Sequence, residues 1–167
     1  MTSAQFDAGT EFDRQVQNLL AKGYPELANL SRQEFEERLA PLCEVAIAHG
    51  SSLAPPTPER APFVLVVKMQ LVPADRAMPL TALHGKHKPG FADFDPEDIA
   101  RFEPIEELPV PDTPAYLVFG LERGEETLNV TPDDAMVAIT ARGRTSLTVE
   151  EGIGFITHFP ESLEKNH

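Results

Sequence analysis

Residues Phe63–Val72 have the sequence FVLVVKMQLV and begin with an unbroken run of apolar side chains rich in valine. A half-buried strand alternates apolar and polar residues, whereas a continuous apolar run of this length indicates a buried central strand. A second segment of this kind, AYLVFGLE, starts at Ala115. We therefore expect a small mixed or antiparallel sheet with central strands at Val64–Val67 and Tyr116–Phe119.

The residues after the second strand segment predict a hairpin and two helices. Ala115–Val130 combines AYLVFGLE with RGEE and TLNV, so Gly124 supplies the turn of a β-hairpin. Thr131 and Thr148 each precede acidic first turns and are expected to cap one helix. The apolar residues of these two helices expected to face the sheet are Met136, Ile139, Ile153 and Ile156.

The first fifty residues predict a pair of helices. The first helix has apolar residues at helical spacing and ends near Gly23, and the second begins at the capping box SRQE, Ser31–Glu34. Pro41 interrupts the second helix, so we expect a kink or break there. The apolar residues of the first helix are Phe12, Val16, Leu19 and Leu20, and those of the second are Phe35, Leu39, Leu42, Cys43, Ala46 and Ile47.

A proline-rich linker separates the helical pair from the predicted sheet. GSSLAPPTPERAP contains four prolines and continues neither helix nor sheet. The sequence therefore predicts an α+β protein with an N-terminal helical region at 1–50, a linker at 51–62 and an α+β domain at 63–167 whose helices pack on one face of the sheet. The alternative is one domain on which the N-terminal helices also pack.

The formal net charge of −13 is distributed unevenly along the chain. Residues 50–92 contain five basic and two acidic residues, whereas residues 93–167 contain five basic and seventeen acidic ones. Nucleic acids and anionic membranes both require a cationic surface, so we expect neither as a partner. No signal peptide or bilayer-spanning apolar segment is visible, which predicts a soluble cytoplasmic protein.

A cluster of basic residues lies in the loop LHGKHKPGFADFD, which runs from Leu83 to Asp95. The glycines beside the cluster allow the backbone to approach a ligand closely, so the loop is our candidate site for a small anionic ligand. The competing interpretation is a solvated loop that matches the charge of the acidic C-terminal part. The candidate ligand-binding residues are His84, Lys86, His87 and Lys88.

A metal site in the same loop is the weaker interpretation. His84 and His87, with Asp93 and Asp95 following, are ligand types suited to zinc or non-haem iron. However, the loop lacks the helix that places two histidines on one face in known zinc motifs, and neighbouring lysines disfavour a cation. We therefore predict no metal and no cofactor.

Two isolated residues receive structural interpretations. Cys43 is the single cysteine, so the chain cannot form an internal disulfide, and its place on the helical stripe indicates a small core residue rather than a nucleophile. His158 lies near the end of the last predicted helix, where we expect it to interact with the helix dipole.

The sequence leaves the function open between two classes. No serine shares a motif with histidine and aspartate, so no acyl-transfer site is predicted. We favour a binding or interaction module whose acidic surface suits a basic protein partner. The alternative is an enzyme acting on a small molecule or phosphate ligand through the loop at residues 84–88. The N-terminal helices also suggest a homodimer, because each has one apolar face to bury.

Five stretches of the chain together resemble an uncharacterised actinobacterial family that carries only a domain-of-unknown-function label. They are GYPELANLSRQEFEERLAPL, GKHKPGF, FEPIEELPVPDTPAYLVFGLERGEETLNVTPDDA, GRTSLTVEEGI and THFPESLEKNH. The resemblance covers nearly the whole chain, but its motifs are linked to no activity, so it implies no site residue. Members of that family continue past the THFPESLEKNH stretch with a segment containing Trp, Gly and Cys. The resemblance therefore implies a C-terminal part that this chain lacks.

Overall fold

The computed structural model describes residues 6–83, 88–99, 101–106 and 108–164. The helices of this part are α1 (Ala8–Ala21), α2 (Tyr24–Leu27), α3 (Arg32–Leu39), α4 (Pro41–Gly50), α5 (Ala74–Ala77), α6 (Pro96–Ile99), α7 (Pro132–Ala141) and α8 (Val149–His158). The strands are β1 (Arg60–Val67) and β2 (Ala115–Glu122), and 3₁₀ turns lie at Met78–Leu80, Glu125–Thr127 and Pro160–Leu163. The α+β class is confirmed.

The sheet of the described chain consists of β1 and β2, which pair antiparallel with Phe63 opposite Phe119. Alternate side chains of a strand point to opposite faces of a sheet. Phe63 and Leu65 pack with residues of α1, α3 and α4, whereas Val64 and Val66 pack with an aromatic residue of α8. The N-terminal helices therefore cover one face of the sheet and α8 covers the other, and this burial accounts for the continuous apolar run in β1.

The predicted hairpin over Ala115–Val130 is wrong. Gly124 does adopt a left-handed turn conformation, but a 3₁₀ turn follows it instead of a second strand. β2 pairs with β1, which lies far away in sequence. Leu128 and Val130 remain 53% and 40% exposed, so the TLNV segment buries too little apolar surface to compete with the fully buried β1.

The N-terminal helices form largely as predicted. Asp7 caps α1, and Ser31 with Glu34 forms the expected capping box at the start of α3. Pro41 separates α3 from α4, because proline lacks the amide that would continue the helical hydrogen bonds. α1 and α4 then pack together against β1, and one cluster of buried apolar residues joins these helices to the sheet. Ile47, expected on the buried stripe of α4, is 47% exposed.

α7 begins as predicted but packs differently. Thr131 accepts a hydrogen bond from the Asp134 amide, and Gly143 follows the helix in a left-handed conformation. None of the ten described residues of α7 is buried. The expectation that Met136 and Ile139 face the sheet is therefore wrong, because α8 occupies the sheet face that α7 would have needed.

α8 starts at the predicted capping box of Thr148 and lies directly on β1. Gly154 makes this approach possible, since a Cβ there would lie only 3.0 Å from a methyl group of Val64. Ile153 and Ile156 are partly buried, as expected of residues near the sheet.

Side chains satisfy the edge of β1 that faces away from β2. The Gln15 amide nitrogen donates to Phe63 O at 3.0 Å, and its oxygen accepts from Leu65 N at 2.7 Å. His158 Nε2 donates to Leu65 O at 3.1 Å. An open strand edge exposes unpaired backbone groups, and these two side chains replace the missing neighbouring strand. We refer to Gln15 and His158 as the edge seal of β1.

Candidate functional site

The predicted anion site falls mostly on residues that the structure does not describe. His84, Lys86 and His87 lie outside the described residues, and Lys88 is described and exposed. Convergence of the four side chains on a ligand therefore stays a prediction. Asp93 and Asp95 of the alternative metal site are also exposed. Within residues 6–83, 88–99, 101–106 and 108–164, no three His, Cys, Asp or Glu residues are grouped as metal ligands.

Backbone contacts between Thr81–Ala82 and Pro89–Gly90 join the two sides of the basic loop and form its stem. Gly90 N donates to Thr81 O at 2.8 Å, and Ala82 forms a bridge with Pro89. A Cβ at Gly90 would overlap the Thr81 hydroxyl and lie 2.7 Å from Met78 O. Glycine is therefore required where the two sides of the stem meet.

We expect Gly90→Ala to lower the free energy of unfolding by about 2 kcal/mol, because the added methyl group must displace backbone at the stem. Urea unfolding followed by circular dichroism measures this change. The matched control is Gly152→Ala, where a Cβ meets no atom within 4 Å and helix propensity favours alanine by up to about 1 kcal/mol. Equal stabilities of the two variants would contradict the requirement for glycine at 90.

His158 does not have the role expected of it. It is 2% exposed, and its Nδ1 accepts from the Asn18 side chain at 3.2 Å while Nε2 donates to a carbonyl. Burial lowers the pKa of His158 to about 3, and the positive charge of Arg14 adds to this effect. The imidazole is therefore neutral and belongs to the edge seal, so it supplies no charge to the helix dipole.

Cys43 is partly buried against the core cluster, as expected of a small core residue. Burial raises the pKa of its thiol, and the charges of Asp13 and Glu44 raise it further. The thiolate form that nucleophilic chemistry needs is thus disfavoured.

The feature of the described surface that best suits recognition is the segment 91–106, FADFDPEDIARFEPIE. We call it the acidic aromatic surface. It contains six acidic residues and one basic residue, Arg101, and all seven are exposed. Four large apolar residues are also exposed between the acids: Phe91 at 70%, Phe94 at 61%, Phe102 at 51% and Ile105 at 52%.

This surface is held to the fold by a short element with a buried anchor. α6 begins after Asp95, whose carbonyl accepts from the Asp98 and Ile99 amides, and it lies against α5. Ile99 is 7% exposed and provides the buried contact. The rings of Phe94 and Phe102 meet edge to face at 5.8 Å, so the two aromatic side chains form one exposed cluster.

Comparison with known proteins identifies the family of this chain but no activity for it. Residues 18–167 match DUF5701, described as a family of unknown function. The chain belongs to this family. No curated protein and no solved structure matches the chain. None of the described helices of this DUF5701 chain is both long and apolar enough to cross a membrane.

Sequence reasoning did not identify the acidic aromatic surface of this DUF5701 chain. Of the described residues in this segment, Pro96–Ile99 form a helix, α6. The available signal was the alternation of Phe with Asp and Glu, a composition that favours an exposed interaction segment. Phenylalanines spaced among acidic residues are also typical of an amphipathic helix that buries them, so the same pattern is compatible with exposed and with buried rings.

Proposed function

We propose that this chain is a binding module whose acidic aromatic surface engages a basic segment of a partner protein. The observation that supports the proposal is that four large apolar side chains are exposed in a segment that also contains six carboxylates. Folded chains rarely leave several large apolar side chains exposed together unless a partner covers them. The proposal assigns no reaction to the chain.

The charge of the surface defines the chemistry of the partner. Residues 91–106 carry five more negative than positive charges, and the one cation, Arg101, pairs with Asp98 at 3.3 Å. A partner segment rich in lysine or arginine would be drawn to this field, and arginine also stacks on aromatic faces. The expected partner therefore combines basic side chains with an apolar groove for Phe94 and Phe102.

The proposal is tested by placing a photo-crosslinking amino acid, p-benzoylphenylalanine, at Phe94 and exposing the labelled chain to a native lysate. We expect crosslinks to one or a few proteins through a basic segment, identified by mass spectrometry. The yield should fall as salt is raised from about 0.1 to 1 M, because the Debye length then shortens from about 10 to about 3 Å. The identified partner is then purified and titrated against the chain.

The matched control carries the same amino acid at Val137, which is 71% exposed on α7. Equal crosslinking from both positions would reveal non-specific contact and would contradict the proposal. Crosslinks that join only two copies of this chain would show that the surface mediates self-association rather than binding of a different protein. A purified partner that binds Phe94→Ser/Phe102→Ser as tightly as the unaltered chain would also contradict it.

Self-association through the N-terminal helices stays a separate prediction. The apolar face of α1 that suggested a dimer packs into the chain's own core through Phe12, Val16 and Leu19. α4 exposes Val45 and Ile47, so a dimer of this kind would use α4. Sedimentation velocity that finds a monomer at high concentration would rule the dimer out.

A further inference from the structure

A groove of about 490 Å³ lies between the end of β2, the turn that follows it, and the segment after α7. It shares no lining residue with the acidic aromatic surface. The volume is within the range of small-molecule sites, which span roughly 300–1,000 Å³. Three glycines with left-handed backbone conformations line it: Gly120, Gly124 and Gly143.

The groove gathers positive charge in the most acidic part of the chain. Residues 93–167 contain five basic residues, and three of them, Arg123, Arg142 and Arg144, line this groove. Two glutamates, Glu122 and Glu126, also line it, and Arg123 pairs with Glu125 beside it. Arginine presents a rigid fork of donors that matches the oxygens of phosphate and carboxylate groups.

The two glutamates bind Arg142 closely, whereas Arg144 makes only a longer contact with one of them. Arg142 pairs with Glu126 and donates to Glu122 at 3.0 Å. Arg144 Nη1 is 3.9 Å from Glu122, which is too far for a hydrogen bond. Within the described residues, Arg144 therefore retains donors for a ligand. In the wall beside it, Nε of Arg123 is buried without a hydrogen-bond partner in the described chain.

The pairing of β1 with β2 explains why the Arg144 side chain is held at the groove. Ala61 pairs with Leu121 and Phe63 with Phe119, so this register places Pro62 opposite Gly120. Proline has no amide to donate across the ladder. Arg144 Nη2 donates to the Gly120 carbonyl instead. This contact fixes the guanidinium at the groove before any ligand arrives, so less conformational entropy is lost on binding.

The remaining wall of the groove is mixed in character. Leu121, Ile139 and Leu147 contribute apolar surface, and Thr145 and Ser146 contribute hydroxyl groups. We propose that this groove binds a small organic oxyanion, in which an apolar body carries one phosphate or carboxylate group held by Arg144. The apolar body lies against the leucine and isoleucine side chains, and the hydroxyl groups complete the contacts to the anionic group.

The test is titration of the ¹⁵N-labelled chain with phenyl phosphate, followed by amide chemical shifts. We expect saturable shifts at Gly120, Gly124 and Gly143, with a Kd in about the millimolar range for so small a ligand. The amides of Gly9 and Gly23, which lie near the two ends of α1 and do not line the groove, should not move. Phenylacetate distinguishes carboxylate from phosphate recognition, and phenol and inorganic phosphate test the apolar body and the anion alone.

Two variants decide whether the groove is responsible. Arg144→Gln should weaken phenyl phosphate binding about 10-fold or more, because a charge-assisted contact is lost. The control Arg32→Gln, on α3, should leave binding unchanged. Leu147→Ala should weaken phenyl phosphate but not inorganic phosphate, and it leaves the arginines intact if Arg144→Gln disturbs the fold. Absence of saturable shifts at the three glycines, or equal binding by Leu147→Ala and the unaltered chain, would overturn the proposal.

Discussion

Replacing Gln15 with leucine is expected to lower the free energy of unfolding by about 3 kcal/mol, because two buried backbone groups then lose their partners. Gln15 is fully buried, and its amide bonds both Phe63 O and Leu65 N on the open edge of β1. Its nitrogen also donates to Glu11 at 2.8 Å. Leucine fills a similar volume but offers no polar group, so the loss reports the hydrogen bonds rather than a cavity.

The matched control for this prediction is Gln17→Leu, which makes the same chemical change at an exposed position of α1. Urea unfolding of both variants and of the unaltered chain gives the free energies directly. We expect the control to differ from the unaltered chain by less than about 0.5 kcal/mol. A Gln15→Leu variant as stable as Gln17→Leu would show that water, rather than the Gln15 amide, satisfies the edge of β1.

Acidification from pH 6.5 to 4.5 is expected to lower the free energy of unfolding by about 2 kcal/mol through His158 alone. Burial lowers the pKa of His158 in the folded chain to about 3, below the ordinary value of 6.5 that applies when the chain is unfolded. The unfolded chain therefore binds a proton in this interval that the folded chain does not. The contribution of His158 to the free energy of unfolding is fully present above pH 6.5 and is lost as the pH falls toward 3.

Two cationic side chains near His158 lower its pKa in the same direction as burial does. Arg14 donates to the His158 carbonyl at 3.2 Å, and the charges of Arg14 and Lys22 both disfavour a protonated imidazole. Glu150 lines the same small cavity as His158 and is 7% exposed. The carboxylates of the chain also titrate in this interval, so the contribution of His158 must be measured as a difference between variants.

The comparison is between the unaltered chain and His158→Gln, with unfolding free energies measured at pH 4.5, 5.5 and 6.5. The variant should be less stable at pH 6.5 but should show a shallower pH dependence, by close to one proton. The control His49→Gln makes the same substitution at an exposed histidine of α4, and it separates the effect of losing the buried imidazole from the effect of the substitution itself. Parallel curves for His158→Gln and the unaltered chain would contradict a neutral buried imidazole.

The elements that sequence analysis predicted correctly depend on neighbouring residues. Ser31, Thr131 and Thr148 cap their helices through amides three positions later, so the signal and the contact lie in one short stretch. The break at Pro41 follows from one missing amide. β1 and β2 were predicted from apolar runs that need no knowledge of their partners.

The errors arise where a choice depends on distant residues. Whether β2 pairs with TLNV or with β1 is decided by competing burial across the fold, which no local pattern records. Gln15 and His158 contact β1 over sequence separations of 50 and 93 residues. A polar residue on a helix normally indicates a solvated face, so neither residue carried a signal of its buried role. The basic loop was singled out by charge density, whereas the acidic aromatic surface required knowing which phenylalanines stay outside the core.

The edge seal of β1 has a consequence for the order of events during synthesis. A two-stranded sheet is marginal on its own in water, and β1 leaves the ribosome long before His158 has been made. Until α8 docks, the Leu65 carbonyl lacks its His158 partner and the valine-rich strand edge is only partly sealed by Gln15, so other chains could extend it. Emergence of α8 from the ribosome is therefore the step that protects the nascent chain from aggregating with other copies of itself.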